Sequence, residues 1–78
     1  MRATLSLDGK VGYVYLTDRR DIAVAESIEL DNLQLDLEGV SAPSLVLDFD
    51  AEGRLLGIEV FEATSALPTD LLAQAHRS

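Results

Sequence analysis

A cluster of carboxylates near the middle of the chain has the spacing of a calcium-binding loop. With Asp48 as position one, the residues at positions one, three, five, six and twelve are Asp48, Asp50, Glu52, Gly53 and Glu59. An EF-hand uses these positions for oxygen ligands, a sharp glycine turn and a final bidentate carboxylate. The spacing therefore raises calcium binding as a candidate chemistry. Asp48 and Asp50 together could also share a proton or bind magnesium.

The residues on either side of this cluster favour a β-hairpin over an EF-hand. An EF-hand needs a helix on each side of its loop, but Pro43 lies shortly before the cluster and Pro68 shortly after it. A hairpin between strands at 44–50 and 54–61 explains the same residues. Ala51-Glu52-Gly53 then forms a common three-residue connection with glycine at the left-handed position.

The hairpin predicts where its acidic side chains point. Asp50 pairs with Arg54 across the turn, and their opposite charges add about 0.2–1 kcal/mol. The same register sets Asp48 opposite Leu56 at the rim of the sheet. It also places Asp48 and Glu59 on opposite faces, where they cannot hold one ion together. We therefore expect no metal site, with Asp48 and Asp50 as weak candidates, and we expect Asp50 to brace the turn. The residues expected to shape the hairpin are Asp50, Gly53, Arg54 and Gly57.

Alternating apolar and polar residues predict further strands before the hairpin. Asp8-Gly9 suits a two-residue turn between the first two strands. Helix is an alternative for the third and fourth strands, because those segments contain good helix formers. Near the C-terminus, Pro68 suits the first turn of a helix. The predicted strands cover residues 3–7, 11–16, 22–30, 33–37, 44–50 and 54–61, and the predicted helix covers residues 68–76.

These elements predict a small α+β fold in one domain, residues 1–78. It contains an antiparallel β-sheet of four to six strands, built from hairpins or a meander, and one short C-terminal helix. Both faces of the hairpin at 44–61 carry apolar side chains, whereas the helix can cover only one face. We therefore predict a homo-oligomer, with a dimer as the simplest form. The alternative is that the remaining chain folds back over the second face. The expected interface residues are Val46, Leu56, Ile58 and Val60.

The composition sets limits on partners and cofactors. The chain has 78 residues, a formal net charge of −8 and no cysteine. Its core is marginal at this size, and without cysteine it has neither disulfides nor thiolate metal sites. An acidic surface disfavours nucleic-acid binding but could attract a basic protein partner, although it also serves solubility alone. The candidate acidic stripe comprises Glu26, Glu29, Asp31, Asp36 and Glu38.

Few residues suit catalysis. His76, the single histidine, lies close to the C-terminus, where chains fray, and the serines have no histidine well placed to activate them. There is no phosphate-binding or dinucleotide-binding motif. We therefore expect a non-enzymatic protein without a cofactor. No apolar run approaches membrane-spanning length, and the first residues lack a secretory pattern, so we expect a cytoplasmic protein.

The stretch from Asp48 to Val60, DFDAEGRLLGIEV, resembles the small bacterial proteins grouped as domain of unknown function 2283. Their pattern is an Asp-x-Asp-x-x-Gly-Arg hairpin that runs into Gly-Ile-Glu. The similarity extends to residues 11–16, 24–28 and 62–68. The acidic segment before the early strand is shorter here, and the stretch 31–43 is longer, which makes an additional strand plausible. No established activity accompanies the family, so the resemblance implies the fold and no mechanism.

Overall fold

The fold is taken from a computed structural model, which describes residues 2–19, 21–31, 33, 35 and 37–77. Within these residues the chain forms six strands and two short helices, and the predicted small α+β fold with an antiparallel sheet is confirmed. In chain order the elements are β1 (Arg2–Leu5), β2 (Val11–Tyr15), β3 (Glu26–Leu30), β4 (Leu45–Phe49), β5 (Leu55–Phe61), α1 (Ala63–Ala66), α2 (Thr69–Gln74) and β6 (His76–Arg77).

The strands form one sheet in the order β3-β4-β5-β2-β1-β6. Neighbouring strands run antiparallel, except that β6 is parallel to β1. The hairpin of β4 and β5 lies between β3 and β2, so residues 16–19 and 21–25 of the connection from β2 to β3 lie across the turn end of that hairpin. Backbone hydrogen bonds from Leu16 to Leu56 and from Ala25 to Phe49 hold the two ends of this crossing segment. Strand β3 therefore lies beside β4, and strand β2 lies beside β5, so their side chains flank the hairpin on its two sides.

The turn between β1 and β2 is longer than the predicted two residues. The Ser6 N–H donates to the Val11 carbonyl at 2.8 Å, so residues 7–10 form the turn and β1 ends at Leu5. The Asp8 carboxylate accepts hydrogen bonds from the Ser6 hydroxyl and the Lys10 N–H. Side-chain hydrogen bonds therefore stabilise this turn, in addition to the backbone geometry of an Asp-Gly pair.

The third and fourth predicted strands differ from the structure. Strand β3 begins at Glu26 instead of residue 22, because residues 22–25 belong to the segment that crosses the end of the hairpin. Residues 33, 35 and 37, from the predicted strand 33–37, lie outside any strand, and residues 32, 34 and 36 are outside the described residues. Alternation alone does not make a strand, since its backbone groups also need a neighbouring strand as partner.

The C-terminal region forms two helices and a strand instead of one helix. Helix α1 follows Glu62, which adopts a left-handed conformation, and α2 follows Pro68. Ala63 is fully buried, and a Cβ placed on Gly12 of β2 would lie only 2.9 Å from the Ala63 Cβ. The main contacts of α1 and α2 are with β5 and β1. The buried apolar residues of the core are Ala3, Leu5, Val14, Leu56, Val60 and Ala63.

Helices in the described part of the chain are all too short to cross a lipid bilayer.

Candidate functional site

The Asp50 carboxylate holds the turn of the β4–β5 hairpin. Its Oδ1 accepts hydrogen bonds from the backbone N–H groups of Glu52 and Arg54, both at 2.9 Å. Gly53 has φ +81°, the left-handed conformation that a side chain makes unfavourable. Asp50 and Arg54 pair across the turn as predicted, since the Asp50 N–H donates to the Arg54 carbonyl at 2.9 Å. The predicted charge pair is different: the Arg54 guanidinium lies 3.3 Å from the Glu52 carboxylate. Asp50 therefore stabilises the turn through backbone hydrogen bonds and not through a charge pair.

Removing the Asp50 carboxylate should destabilise the turn. We expect Asp50→Ala to lower the free energy of unfolding by about 1–2 kcal/mol, because two backbone donors lose a charged acceptor. Glu52→Ala is the matched control, since it removes only an exposed ion pair and should cost less than about 0.5 kcal/mol. Urea denaturation measures both values. Equal losses in the two variants would contradict this role for Asp50.

A β-bulge at Leu56 changes the register that the sequence predicts. Phe49 pairs with Leu55 as expected, but Asp48 then pairs with Gly57, which leaves Leu56 as the additional residue on β5. The predicted pairing of Asp48 with Leu56 is therefore wrong. Because directly paired residues share a face, Asp48 and Glu59 lie on the same face and not on opposite ones. This face also carries Tyr13, Tyr15, Val46 and Gly57.

Asp48 is buried at the centre of that face, although the sequence placed it at the rim. Only 8% of its surface is exposed. The Tyr13 hydroxyl donates to Oδ2 at 2.7 Å and the Ser27 hydroxyl donates to Oδ1 at 2.5 Å. A buried carboxylate is costly without such donors. Tyr13, Ser27 and Asp48, here called the Asp48 cluster, therefore link β2, β3 and β4 through one carboxylate.

Gly57 makes the Asp48 cluster possible, since it lies beneath the Tyr13 ring. A Cβ placed on Gly57 would approach the Tyr13 ring and hydroxyl to 2.5 Å, which is closer than atoms can come without moving. The absence of a side chain lets the tyrosine cross β5 and reach Asp48 on the next strand. A glycine inside a strand often marks such a close approach.

Burial and the neighbouring Asp48 carboxylate raise the pKa of Tyr13 above its ordinary value near 10. The folded chain then keeps the phenol proton at a pH where the unfolded chain loses it. This contribution to stability is complete below about pH 10 and falls as the pH rises further. We expect Tyr13 to stay protonated in the folded protein at pH values where an ordinary tyrosine ionises. The ultraviolet absorbance difference between the wild type and Tyr13→Phe, followed against pH, measures the ionisation of Tyr13. Half-titration of Tyr13 near pH 10 would contradict a raised pKa.

The Asp48 cluster is organised for structure more than for chemistry. Both carboxylate oxygens of Asp48 already accept hydrogen bonds, and Asp50 is occupied in the turn. Among the described residues, no three histidine or acidic side chains are grouped so that they could hold a metal ion. His76 lies on β6, at the opposite edge of the sheet from Ser27. The arrangement fixes the strands in place.

The predicted interface residues do not form one surface. Leu56 and Val60 are buried, at 8% and 4% exposure, and Val46 and Ile58 point to opposite faces because of the bulge. The two helices pack on one face of the sheet. On that face, β3, β4 and β5 carry apolar side chains that lie opposite one another on neighbouring strands, here called the apolar patch. Ile28 and Leu55 within it are 44% and 37% exposed. The apolar patch comprises Ile28, Leu30, Leu45, Leu47, Phe49, Leu55 and Ile58.

The predicted acidic stripe is divided between the two faces of the sheet. Glu26 pairs with Phe49 at one end of the apolar patch, whereas Glu29 pairs with Val46 on the face of the Asp48 cluster. Asp31 and Glu38 are exposed in the connection that follows β3. Asp36, the remaining residue of the stripe, lies outside the described residues.

A protein-family model described as "Protein of unknown function (DUF2283)" matches residues 8–63, most of the chain. The chain belongs to this family. No curated protein and no solved structure matches it. The segment of this DUF2283 protein that matches runs from the first turn to the start of α1, and it contains the whole Asp48 cluster, Gly57 and the apolar patch. Strand β1, helix α2 and strand β6 lie outside it.

Sequence reasoning about this DUF2283 protein missed the partners of Asp48. Tyr13 and Ser27 lie 35 and 21 residues from Asp48 in the chain, and only the strand order brings them together. One signal was available: Gly57 interrupts an otherwise apolar strand, which suggests that another group approaches the backbone there.

Proposed function

We propose that this DUF2283 protein is a non-enzymatic interaction module that forms a homodimer through the apolar patch. The patch itself supports this proposal, because it joins seven apolar side chains on three neighbouring strands. The main contacts of the two helices are with β1 and β5, so the part of the patch on β3 and β4 has no helix as a main contact. An apolar surface on paired strands that the chain leaves partly open favours contact with another protein.

The accessible surface of the chain is larger than that of a compact monomer of its mass. The single chain exposes 5676 Å², whereas a compact monomer of 8.4 kDa exposes about 4,600 Å². The excess, roughly 1,000 Å², is similar to the ~800 Å² that each partner contributes to a stable interface. Exposed leucines in the connection after β3 contribute to the excess, as does the apolar patch.

The exposed acidic residues that the structure describes are not gathered into one surface that would select a basic partner. A basic partner would need acidic groups gathered around its contact surface, but the exposed acids among the described residues lie on both faces of the sheet. The acidic side chains of Glu26 and Asp50 lie beside the apolar patch, next to Ile28 and Phe49. Two copies related by a two-fold axis would present identical apolar surfaces to each other. Their sheets would pack face to face about 10 Å apart, as in a β-sandwich. Exposed like charges at longer range are largely screened at physiological ionic strength.

Light scattering behind a sizing column tests this proposal directly. We expect a mass of about 17 kDa at micromolar concentration, twice the 8.4 kDa of one chain. Association should persist or strengthen in high salt, because apolar contacts survive screening and repulsion between like charges decreases. A mass near that of one chain throughout the micromolar range would contradict the proposal.

A further inference from the structure

A cavity lies on the face of the sheet opposite the apolar patch. It opens beside β2, where residues 16–19 begin to cross the hairpin, and has a volume of about 310 Å³. This is at the lower end of the range for small-molecule sites and suits a ligand of one or two rings. Residues from β1, β2, β5 and the crossing segment form its walls. Those that matter here are Arg2, Tyr15, Arg19, Ile22, Val24 and Leu56.

The polar part of this cavity is positively charged, unlike most of the protein. Both charged side chains in its lining are arginines, Arg2 and Arg19, in a chain with 14 acidic and 6 basic residues. Arg19 already binds the Asp21 carboxylate at 2.9 Å. Arg2 forms no ion pair within the described part of the chain. Arg2 is therefore the cation available to an incoming anion.

Arg2 is also held in position with an unused donor. Its guanidinium lies over the Tyr15 ring, 4.3 Å from the ring centroid, which limits its movement. Its Nε is buried and has no hydrogen-bond partner among the described residues. A buried donor without a partner is unfavourable in the folded chain. Because Nε is closed off from solvent, an incoming anion would bind the terminal N–H groups of the guanidinium.

The rest of the cavity is apolar and aromatic. Leu56 faces it because the β-bulge turns this residue toward the tyrosine side of the sheet. Ile22 and Val24 come from the crossing segment, and Val24 is half-exposed beside the opening. An aromatic ring beside branched aliphatic side chains favours a flat apolar group. The cavity thus combines one available cation with a small apolar surface.

We propose that this cavity binds a small aromatic carboxylate. The carboxylate lies against the Arg2 guanidinium and accepts hydrogen bonds from its terminal N–H groups. The aromatic body lies against Tyr15, Ile22 and Val24. Binding is non-covalent, and it does not depend on the dimer, because the cavity and the apolar patch are on opposite faces of the sheet.

Titration of the ¹⁵N-labelled protein with 1-naphthoate, followed by nuclear magnetic resonance, tests the assignment. We expect saturable shifts at the amides of Tyr15, Ile22, Val24 and Leu56 at millimolar ligand. The neutral isostere 1-naphthamide should bind at least about tenfold more weakly, because it lacks the charge that Arg2 recognises. Absence of saturable shifts, equal binding of the amide, or shifts centred on the apolar patch would overturn the proposal.

Two variants and a control separate the roles of charge and shape. Arg2→Gln should weaken naphthoate binding at least about tenfold. Lys10→Gln, which removes one exposed positive charge at the turn between β1 and β2, at the other end of β2 from the cavity, should leave it unchanged. Val24→Trp changes an exposed side chain and should block the cavity if Arg2→Gln does not fold. Unchanged affinity in a folded Arg2→Gln or Val24→Trp variant would overturn the site. The same titration of the Ile28→Glu variant, which is expected to be monomeric, shows whether naphthoate binding depends on the proposed dimer.

Discussion

Gly57→Ala should lower the free energy of unfolding by about 2–4 kcal/mol. The added methyl group would lie 2.5 Å from the Tyr13 ring, so the ring must move. Movement of Tyr13 removes its hydrogen bond to Asp48 and leaves a buried carboxylate with Ser27 as its remaining side-chain donor. In a domain of this size such a loss corresponds to a decrease in melting temperature of roughly 10–25 °C. Circular dichroism during heating and urea denaturation measure the two quantities.

A double-mutant cycle separates this clash from a general effect of adding a methyl group to a strand. In a Tyr13→Ala background the ring is absent, and Gly57→Ala should then cost less than about 0.5 kcal/mol or even stabilise the chain, because alanine loses less backbone entropy than glycine. The two substitutions should therefore couple strongly. If Gly57→Ala costs the same with and without the Tyr13 ring, the close approach of Tyr13 to Gly57 is not what makes the glycine necessary.

The second large effect should be on self-association. Ile28→Glu places a negative charge in the apolar patch. A two-fold dimer would contain two such charges, one from each copy, and no basic side chain in the patch to pair with them. We expect the dimer dissociation constant to rise at least about 100-fold, because burying an unpaired charge costs several kcal/mol. Ile28 is 44% exposed on the edge strand β3, so the monomer should stay folded. Sedimentation velocity over a range of concentrations measures the constant.

Val40→Glu is the matched control for this variant. Val40 is 52% exposed and lies in the connection before β4, outside the apolar patch. The substitution makes the same change in side-chain charge and also replaces an exposed branched apolar residue. It should change the dissociation constant less than about threefold, the scale of an exposed charge. A similar effect of both variants would show that added negative charge, and not the location of Ile28, controls association.

The sequence predicted the general fold well because its signals are local. Gly53 and its neighbours indicated a tight turn, the alternation around it indicated two strands, and Pro68 indicated the start of a helix. These features depend on the conformations that each residue type allows. They were enough for an α+β sheet, although not for helix α1 or strand β6, which depend on packing against β5 and β1.

The arrangement of side chains on the sheet could not be predicted, because one additional residue changes it. The bulge at Leu56 moves Ile58 and Val60 to the same face as Leu45 and Leu47. Alternation along a strand shows which face each residue is on only while the strand is regular. The hydrophobic pattern does not indicate where a β-bulge adds a residue. The predicted interface therefore contained buried residues. The excess of apolar surface over what the helices can cover follows from composition and does not depend on register.

The homodimer is tested most directly by isotope-filtered nuclear Overhauser spectroscopy on a mixture of labelled and unlabelled chains, which detects only contacts between copies. The apolar patch predicts contacts between the methyl groups of Ile28, Leu47 and Ile58 of one copy and the same group of side chains on the other. Intermolecular contacts confined to the exposed leucines 33, 35 and 37, or no intermolecular contacts at concentrations where light scattering is measured, would contradict it.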